Sequence, residues 1–330
     1  DPNFIKLTLP YLVNNPELAM VQARWGYTNA GYSWVTLAQA LALDGHFVID
    51  QLARNKSHLL MNFNGTGGIW RRRAIEQAGG WQSDTLSEDL DLSYRAQLAG
   101  WQCLYLPDII VPSQLPVSIV AFKQQQQRWA KGATQTLRKL NLPILLSDRL
   151  PWYKKIMALL HLSGYMTQFL FVSLILLSLP LTLAPPPQFL FNRWLGIVAV
   201  LPVFFYTLSE KPFRGYHLLR ISAYPLLALL AVSCSLETTL AIVDGFFHWG
   251  GVFVRTPKVK LQDDEVVAGY NSEFSFISVA KMLLLLYIVV TTGIAIYLRS
   301  YQFIYPGMLY ILSQILFYIT YISETKSGRF

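Results

Sequence analysis

Two clusters of side chains in this 330-residue chain have the types and spacing for chemistry on a charged, hydroxylated substrate. The first is Ser87-Glu88-Asp89, ahead of Leu90, Tyr94 and Leu98 at i, i+4 and i+8, so its carboxylates fall in the first turn of a predicted helix. A carboxylate there stays ionised, because a helix N-terminus favours an anion, and it can take the proton of an attacking hydroxyl. The second, about forty residues on, is Gln125-Gln126-Gln127-Arg128-Trp129. On a helix, Gln125, Arg128 and Trp129 share one face at i, i+3 and i+4. The guanidinium suits bidentate binding of phosphate oxygens, the indole offers a flat face for a sugar ring, and the amide can bond sugar hydroxyls. Each cluster also has a plainer use: acids in a first turn are ordinary caps, and Trp with Arg can anchor a helix at a lipid interface. From the residues alone both uses stay open for Asp89 with Glu88 beside it and for Gln125, Arg128 and Trp129; the chemical one would be a pocket for a sugar beside a diphosphate.

A third candidate is Asn64-Gly65-Thr66-Gly67-Gly68, where glycines let the backbone approach a ligand closely. A simple hairpin turn would read the same way. Arg71-Arg72-Arg73 could face phosphates or form a solvated basic rim.

These residues need elements to hold them. Glu17–Trp25 reads as a strand, 34–52 as one long helix and 58–70 as a strand, a glycine-rich turn and a second short strand. A short helix follows over 73–78, then the helix capped by Ser87 and closed by Gly100. Two short extended pieces flank Pro107, and 118–140 is an amphipathic helix. This alternation predicts an α/β domain with a mixed sheet over residues 1–150.

The rest of the chain differs in kind. Overall 53% of residues are hydrophobic and 14% charged, against about 25% charged in soluble domains; the shortfall lies in residues 151–330. Four apolar segments, 156–183, 187–208, 282–298 and 303–322, approach the roughly 20 residues that cross a bilayer. Lys154, Lys155, Lys211, Arg214, Arg220, Lys281, Lys326 and Arg329 can all lie on one, cytoplasmic, side. The net charge of +8 thus belongs to membrane flanks rather than to a nucleic-acid surface. Segment 221–247 has basic clusters on both sides and too few residues for two crossings, about 40, so it reads as a re-entrant or interfacial helix. Cys103 and Cys234 are expected to be unpaired, and no zinc spacing exists.

The two clusters resemble the [ST]-E-D and Q-x-x-R-W motifs of membrane-bound family 2 glycosyltransferases, of the cellulose-synthase-like and mannan-synthase-like group. Phe63–Gly68 resembles that group's F-N-G-T-[AG]-G stretch near the acceptor, and Val21-Gln22-Ala23-Arg24-Trp25 its V-Q-A-R-W. Phe253-Val254-Arg255-Thr256-Pro257-Lys258 resembles the F-x-V-T-x-K loop that closes over the nucleotide in processive members, with Phe253, Thr256 and Lys258 matching; a basic juxtamembrane loop is the alternative. The resemblance implies the C-terminal part of a GT-A-like nucleotide-diphospho-sugar transferase domain followed by a multi-pass helical membrane domain. It implies Asp89 as general base, Asn64, Gly65 and Thr66 near the acceptor, and Phe253, Thr256 and Lys258 as a gating loop. It also implies a divalent metal, Mg or Mn, held by an Asp-x-Asp that is not in this chain. Asp1-Pro2-Asn3-Phe4 resembles the [DE]-P-x-F segment that follows that motif, so the chain is expected to start just past the metal site, without the first half of the catalytic domain.

The expected function is inverting transfer of a hexose from a UDP- or GDP-sugar to a growing β-linked polysaccharide at the plasma (inner) membrane, with the catalytic domain cytoplasmic. The rivals are a β-glycosyltransferase acting on diacylglycerol or polyprenyl lipid, an inactive fragment, and a non-catalytic membrane protein. The last would need ionisable residues within its spans, where only His161 and Arg193 are expected.

Overall fold

In the computed structural model, residues 2–184, 201–209, 222–252 and 276–326 are described. The 253–258 loop and most of the 187–208 segment lie outside them.

A three-stranded sheet in the order β2-β1-β3 organises the first half. Its central strand, β1 (Leu18–Tyr27), buries its first six residues. It pairs antiparallel with β2 (Gly68–Trp70) and parallel with β3 (Gln102–Ser113), which makes the sheet mixed as expected. β3 is one strand of 12 residues rather than two pieces. The register jumps where Ala23 pairs with Leu106 and Arg24 with Ile110, so Pro107, which lacks an N–H, sits in the skipped stretch.

The first strand expected within 58–70, ahead of the glycine-rich turn, does not form. Side chains take its backbone hydrogen bonds instead. Gln97 binds both Met61 N–H and Met61 C=O, Ser93 accepts from Phe63 N, Gln51 donates to Asn62 O, and Gln22 accepts from Asn64 N. Helix α1 (Phe4–Asn14) went unforeseen because Ile5, Leu7, Leu9, Tyr11 and Val13 alternate along it and are all exposed. The helix expected over 34–52 is α2 (Trp34–Asp44), a π-turn (Gly45–Asp50) and α3 (Gln51–Lys56). The short helix α4 (Arg72–Gln77) and α5 (Glu88–Leu98) follow. The motif helix α6 (Ile119–Leu146) runs six residues past the expected Leu140.

The span expected over 156–183 is broken at residues 163–165 into α7 (Trp152–Leu162) and α8 (Met166–Leu183). Only α9 (Leu201–Ser209) of the next segment is described. Then come α10 (Tyr224–Ser233) and α11 (Ser235–Phe247), bent by 52° to each other, and α12 (Phe276–Tyr297) and α13 (Tyr301–Lys326). Helix α8, residues 279–297 of α12, and α13 are each long and apolar enough to cross a membrane. Lys281, expected as a flanking charge, lies inside α12, where it is buried and paired with Glu237 of α11.

The two halves share a core. Ala38 and Leu41 of α2 and Ile119 and Phe122 of α6 pack with Ala223, Leu227 and Leu230 of the α10 region and Phe317 of α13. Among these apolar contacts, Lys123 of α6 reaches Glu237, and both Lys123 and Lys281 lie over the Phe317 ring, at 4.1 and 4.7 Å.

Candidate active site

Three pieces of backbone meet at Asp89. Helix α5 starts at Glu88 and presents Asp89 from its first turn. The glycine-rich loop approaches so closely that a Cβ on Gly65 would stand 3.0 Å from Asp89 Oδ2. Helix α6 lies on the other side. A Cβ on its Gly132 would fall 2.1 Å from Ser87 Oγ and 2.8 Å from Ser87 N, so glycine is required for α6 to pack on the entry to α5. Gln125, Arg128 and Trp129 precede Gly132 on the same helical face. The Arg128 charge is felt at the Asp89 carboxyl and lowers its pKa.

Two local expectations need correction. Ser87 does not cap α5 with its side chain; its hydroxyl is packed against Gly132. Nor does the helix dipole hold Asp89 in the ordinary carboxylate range. Burial pushes its pKa up to about 7, and the neighbouring Glu88 charge adds to this. The bond from Leu90 N to Asp89 Oδ1 (2.8 Å) and the Arg128 charge pull the other way without restoring it. Desolvation outweighs the dipole because the carboxyl is enclosed while most of its charge stays uncompensated.

The glycine-rich loop is held by the strand beside it. Gln22, fully buried on β1, accepts from Asn64 N (3.0 Å) and donates to Thr66 O (3.0 Å) and Gly67 O (3.1 Å). Trp25 Nε1 donates to Thr66 O at 3.3 Å. Gly65 and Gly67 have φ of +75° and +73°, a region that penalises side chains. Phe63–Gly67 is therefore a clamped loop leading into β2, not a hairpin between two strands.

Gln135, one turn beyond Gly132, is a site residue that the sequence reading missed. It is fully buried and accepts from Leu86 N (2.9 Å), just before Ser87. It also donates to His248 O and Gly250 O, both at 2.9 Å, beyond α11. Its spacing of seven from Arg128 was the available signal.

Other candidates are structural. Asp91, fully buried, is paired with Arg95 (2.8 Å) and Lys139 (3.1 Å). Arg71 donates to the carbonyls of Leu12, Asn15 and Leu18 and so ties α1 to the sheet, while Arg72 pairs with Glu76 in solvent. Cys103 and Cys234 are unpaired. Among the described residues, no three His, Cys, Asp or Glu side chains come together to hold a metal. With Asp91 committed to two cations, Asp89-Leu90-Asp91 does not fit one either.

A mixed-sheet domain that carries a buried acid beside an Arg-Trp helix, and continues into membrane-length helices, defines a membrane-associated sugar-transferase architecture. Residues 1–230 match Glycosyl transferase family group 2, and the chain belongs to that family. Among curated proteins it is 39% identical over 181 residues to Probable glucomannan 4-beta-mannosyltransferase 9 of Oryza sativa subsp. japonica, a match covering 53% of this chain and 34% of that protein. It is 42% identical over 156 residues to Glucomannan 4-beta-mannosyltransferase 2 of Arabidopsis thaliana (47% and 29%), and 43% identical over 155 residues to Glucomannan 4-beta-mannosyltransferase 7 of the same plant (47% and 28%). The matched region spans about a third of the length of these relatives.

Proposed function

We propose that this chain forms the acceptor side and the membrane part of an inverting hexosyltransferase that extends a β-linked, mannose-containing polysaccharide. The observation that carries the reading is the Asp89 carboxyl, set at about 7, between the Gly65 backbone and the helix of Arg128. A base with a pKa near the working pH combines a large ionised fraction with real proton affinity.

In this mechanism, Asp89 takes the proton of an acceptor hydroxyl as that oxygen attacks the anomeric carbon of a UDP- or GDP-linked hexose. The new C–O bond forms on the face opposite the leaving group. The bond from that carbon to the diphosphate oxygen breaks, and its electrons leave with the nucleoside diphosphate. Inversion turns an α-linked donor into a β-linked product. Arg128 meets the diphosphate charge, Trp129 stacks on the acceptor sugar, Gln125 bonds its hydroxyls, and Asn64, Gly65 and Thr66 wall the pocket. The names of the relatives support mannose as the sugar. A divalent metal, Mg or Mn, would supply positive charge at the diphosphate; no acidic group among the described residues is gathered to hold it.

The catalytic half faces the cytoplasm in this reading, and α10–α11 is a re-entrant element. Both ends of that pair reach the soluble domain: Ala223 and Leu227 pack on α2, and Gly250 N, just beyond α11, donates to Asp84 O at 2.8 Å. The 253–258 loop continues from that point and is assigned to the nucleotide side on its motif alone.

The test is Asp89→Asn in the enzyme expressed from its complete reading frame. Transfer should be abolished while donor binding persists. Retained turnover would remove Asp89 as the base. Product length separates polymer synthesis from transfer of a single sugar to lipid.

A further inference from the structure

The π-turn after α2 has a consequence at the acceptor loop. Six residues, Gly45–Asp50, interrupt an otherwise α-helical run, and such segments are rare and recur at functional sites. This one presents His46 to the glycine-rich loop, with Nε2 3.1 Å from Asn64 Oδ1. On its other side, Nδ1 lies 3.5 Å from Asp50 Oδ2. Asp50 is itself braced by Arg54 Nε at 2.9 Å. Although burial raises the Asp50 pKa, His46, Arg54 and His161 bring it down to about 2, so it is a fixed anion.

Asn64 Oδ1 has two donors, His46 and Asn62 Nδ2 at 2.9 Å. Asn64 Nδ2 is buried and has no partner among the described residues. The loop thus holds one unused amide donor next to Gly65, whose backbone borders the base. An unmatched buried donor costs free energy, and a ligand oxygen that met it would recover that cost.

We propose that His46 is a positioning residue for acceptor recognition. Backed by Asp50, it locks the Asn64 amide with its oxygen turned inward, leaving the NH2 group for a hydroxyl of the acceptor sugar. The inference rests on reading the 63–67 loop as the acceptor wall. Asn64 Oδ1 can only accept, so His46 Nε2 carries the hydrogen of the lock, with the Asp50 carboxylate beside Nδ1 on the far side of the ring. The charged and titratable groups around this cluster are Asp50 and Arg54 behind the ring, His161 of α7 with Nε2 4.0 Å from Asp50, and Tyr94 of α5, whose hydroxyl is 2.6 Å from His161 Nδ1. Burial lowers the His161 pKa to about 3 and so keeps that ring neutral.

The experiment uses the complete reading frame in native membranes, a soluble β-linked manno-oligosaccharide as acceptor, and hydrolysis of the donor by water as a parallel readout. His46→Gln can put an amide N–H where Nε2 stands; His46→Asn reaches only the Nδ1 position. The Gln variant should keep a near-normal acceptor KM. The Asn variant should raise that KM about tenfold, equivalent to about 1.4 kcal/mol, with donor hydrolysis unchanged in both. Equal KM for the two variants, or parallel loss of hydrolysis and transfer, would overturn the positioning role. Asn64→Ala separates the two layers. If it leaves acceptor KM untouched, the loop is not the acceptor wall; if it raises KM while the His46 variants do not, only the inference about His46 falls.

Discussion

The pKa of Asp89 can be turned into a rate profile. A carboxyl titrating at about 7 is roughly one-tenth ionised at pH 6 and roughly nine-tenths at pH 8, so base-dependent transfer rises roughly tenfold over that interval, with unit slope on the acid side. A base at the ordinary value of 3.8 would be fully ionised throughout and give a flat profile. Initial rates of radiolabelled sugar incorporation into polymer, at subsaturating acceptor where kcat/KM reports the free enzyme, measure this. A flat profile from pH 6 to 8 would refute the claim that enclosure sets the base.

The same pKa has a stability counterpart of definite sign. The folded value lies above the unfolded one, so the folded chain binds this proton more tightly. The site costs nothing below about pH 3.8, costs increasingly as pH rises to about 7, and holds that cost above it. The full displacement corresponds to about 4 kcal/mol. Because the residue as a whole is only half-buried, solvent reduces this to about 2 kcal/mol. Asp89→Asn should therefore abolish transfer yet raise the thermal midpoint by about 3–6 °C at pH 8, and do nothing at pH 4. A destabilised Asn variant at pH 8 would contradict the account.

Three further outcomes follow from the packing around this base. Gly65→Ala forces a side chain into φ +75° and within 3.0 Å of Asp89 Oδ2; turnover should fall at least about tenfold, with backbone strain of about 1–2 kcal/mol and unchanged donor affinity, checked by steady-state kinetics and nucleotide titration. Gln135→Ala strands Leu86 N and two carbonyls, and should cost about 2–4 kcal/mol in denaturation monitored in detergent, with a larger fractional loss of turnover than of donor binding. Glu237→Gln leaves the buried Lys123 and Lys281 without their shared carboxylate, and should lower stability by about 3–5 kcal/mol, with partial recovery on adding Lys281→Met.

What the sequence revealed, and what it hid, divides along physical lines. The helices that carry Asp89, Arg128 and Trp129 were legible because the apolar spacing around them is helical. The spans were legible because apolar length is a composition signal. The stretch over 58–64 was misread because its backbone bonds go to Gln22, Gln51, Ser93 and Gln97, residues distant in sequence whose amides and hydroxyl carry no periodicity. The π-turn at Gly45–Asp50 was invisible for a related reason: one extra residue per turn leaves the apolar pattern nearly intact. Ser87 looked like a cap because only the fold reveals Gly132 against it. The pKa of Asp89 was misjudged because dipole arguments are local, whereas desolvation depends on how loop and helices close around the carboxyl.

One helix joins these observations into a single constraint. Along α6, Lys123 enters an ion cluster with membrane helices α11 and α12, Arg128 acts on the base, Gly132 seats Ser87, and Gln135 holds both the approach to the base and the chain leaving α11. Lys123 and Gln135 are twelve residues apart, about 18 Å along an α-helix, so a rigid rod ties the membrane bundle to the proposed base. Loosening the membrane end should then be felt at the base. Glu237→Gln touches no substrate in this arrangement, yet it should shift the midpoint of the pH–rate profile as well as the thermal midpoint. An unshifted profile in a destabilised but folded Glu237→Gln enzyme would mean that α6 only scaffolds the two halves and does not couple them.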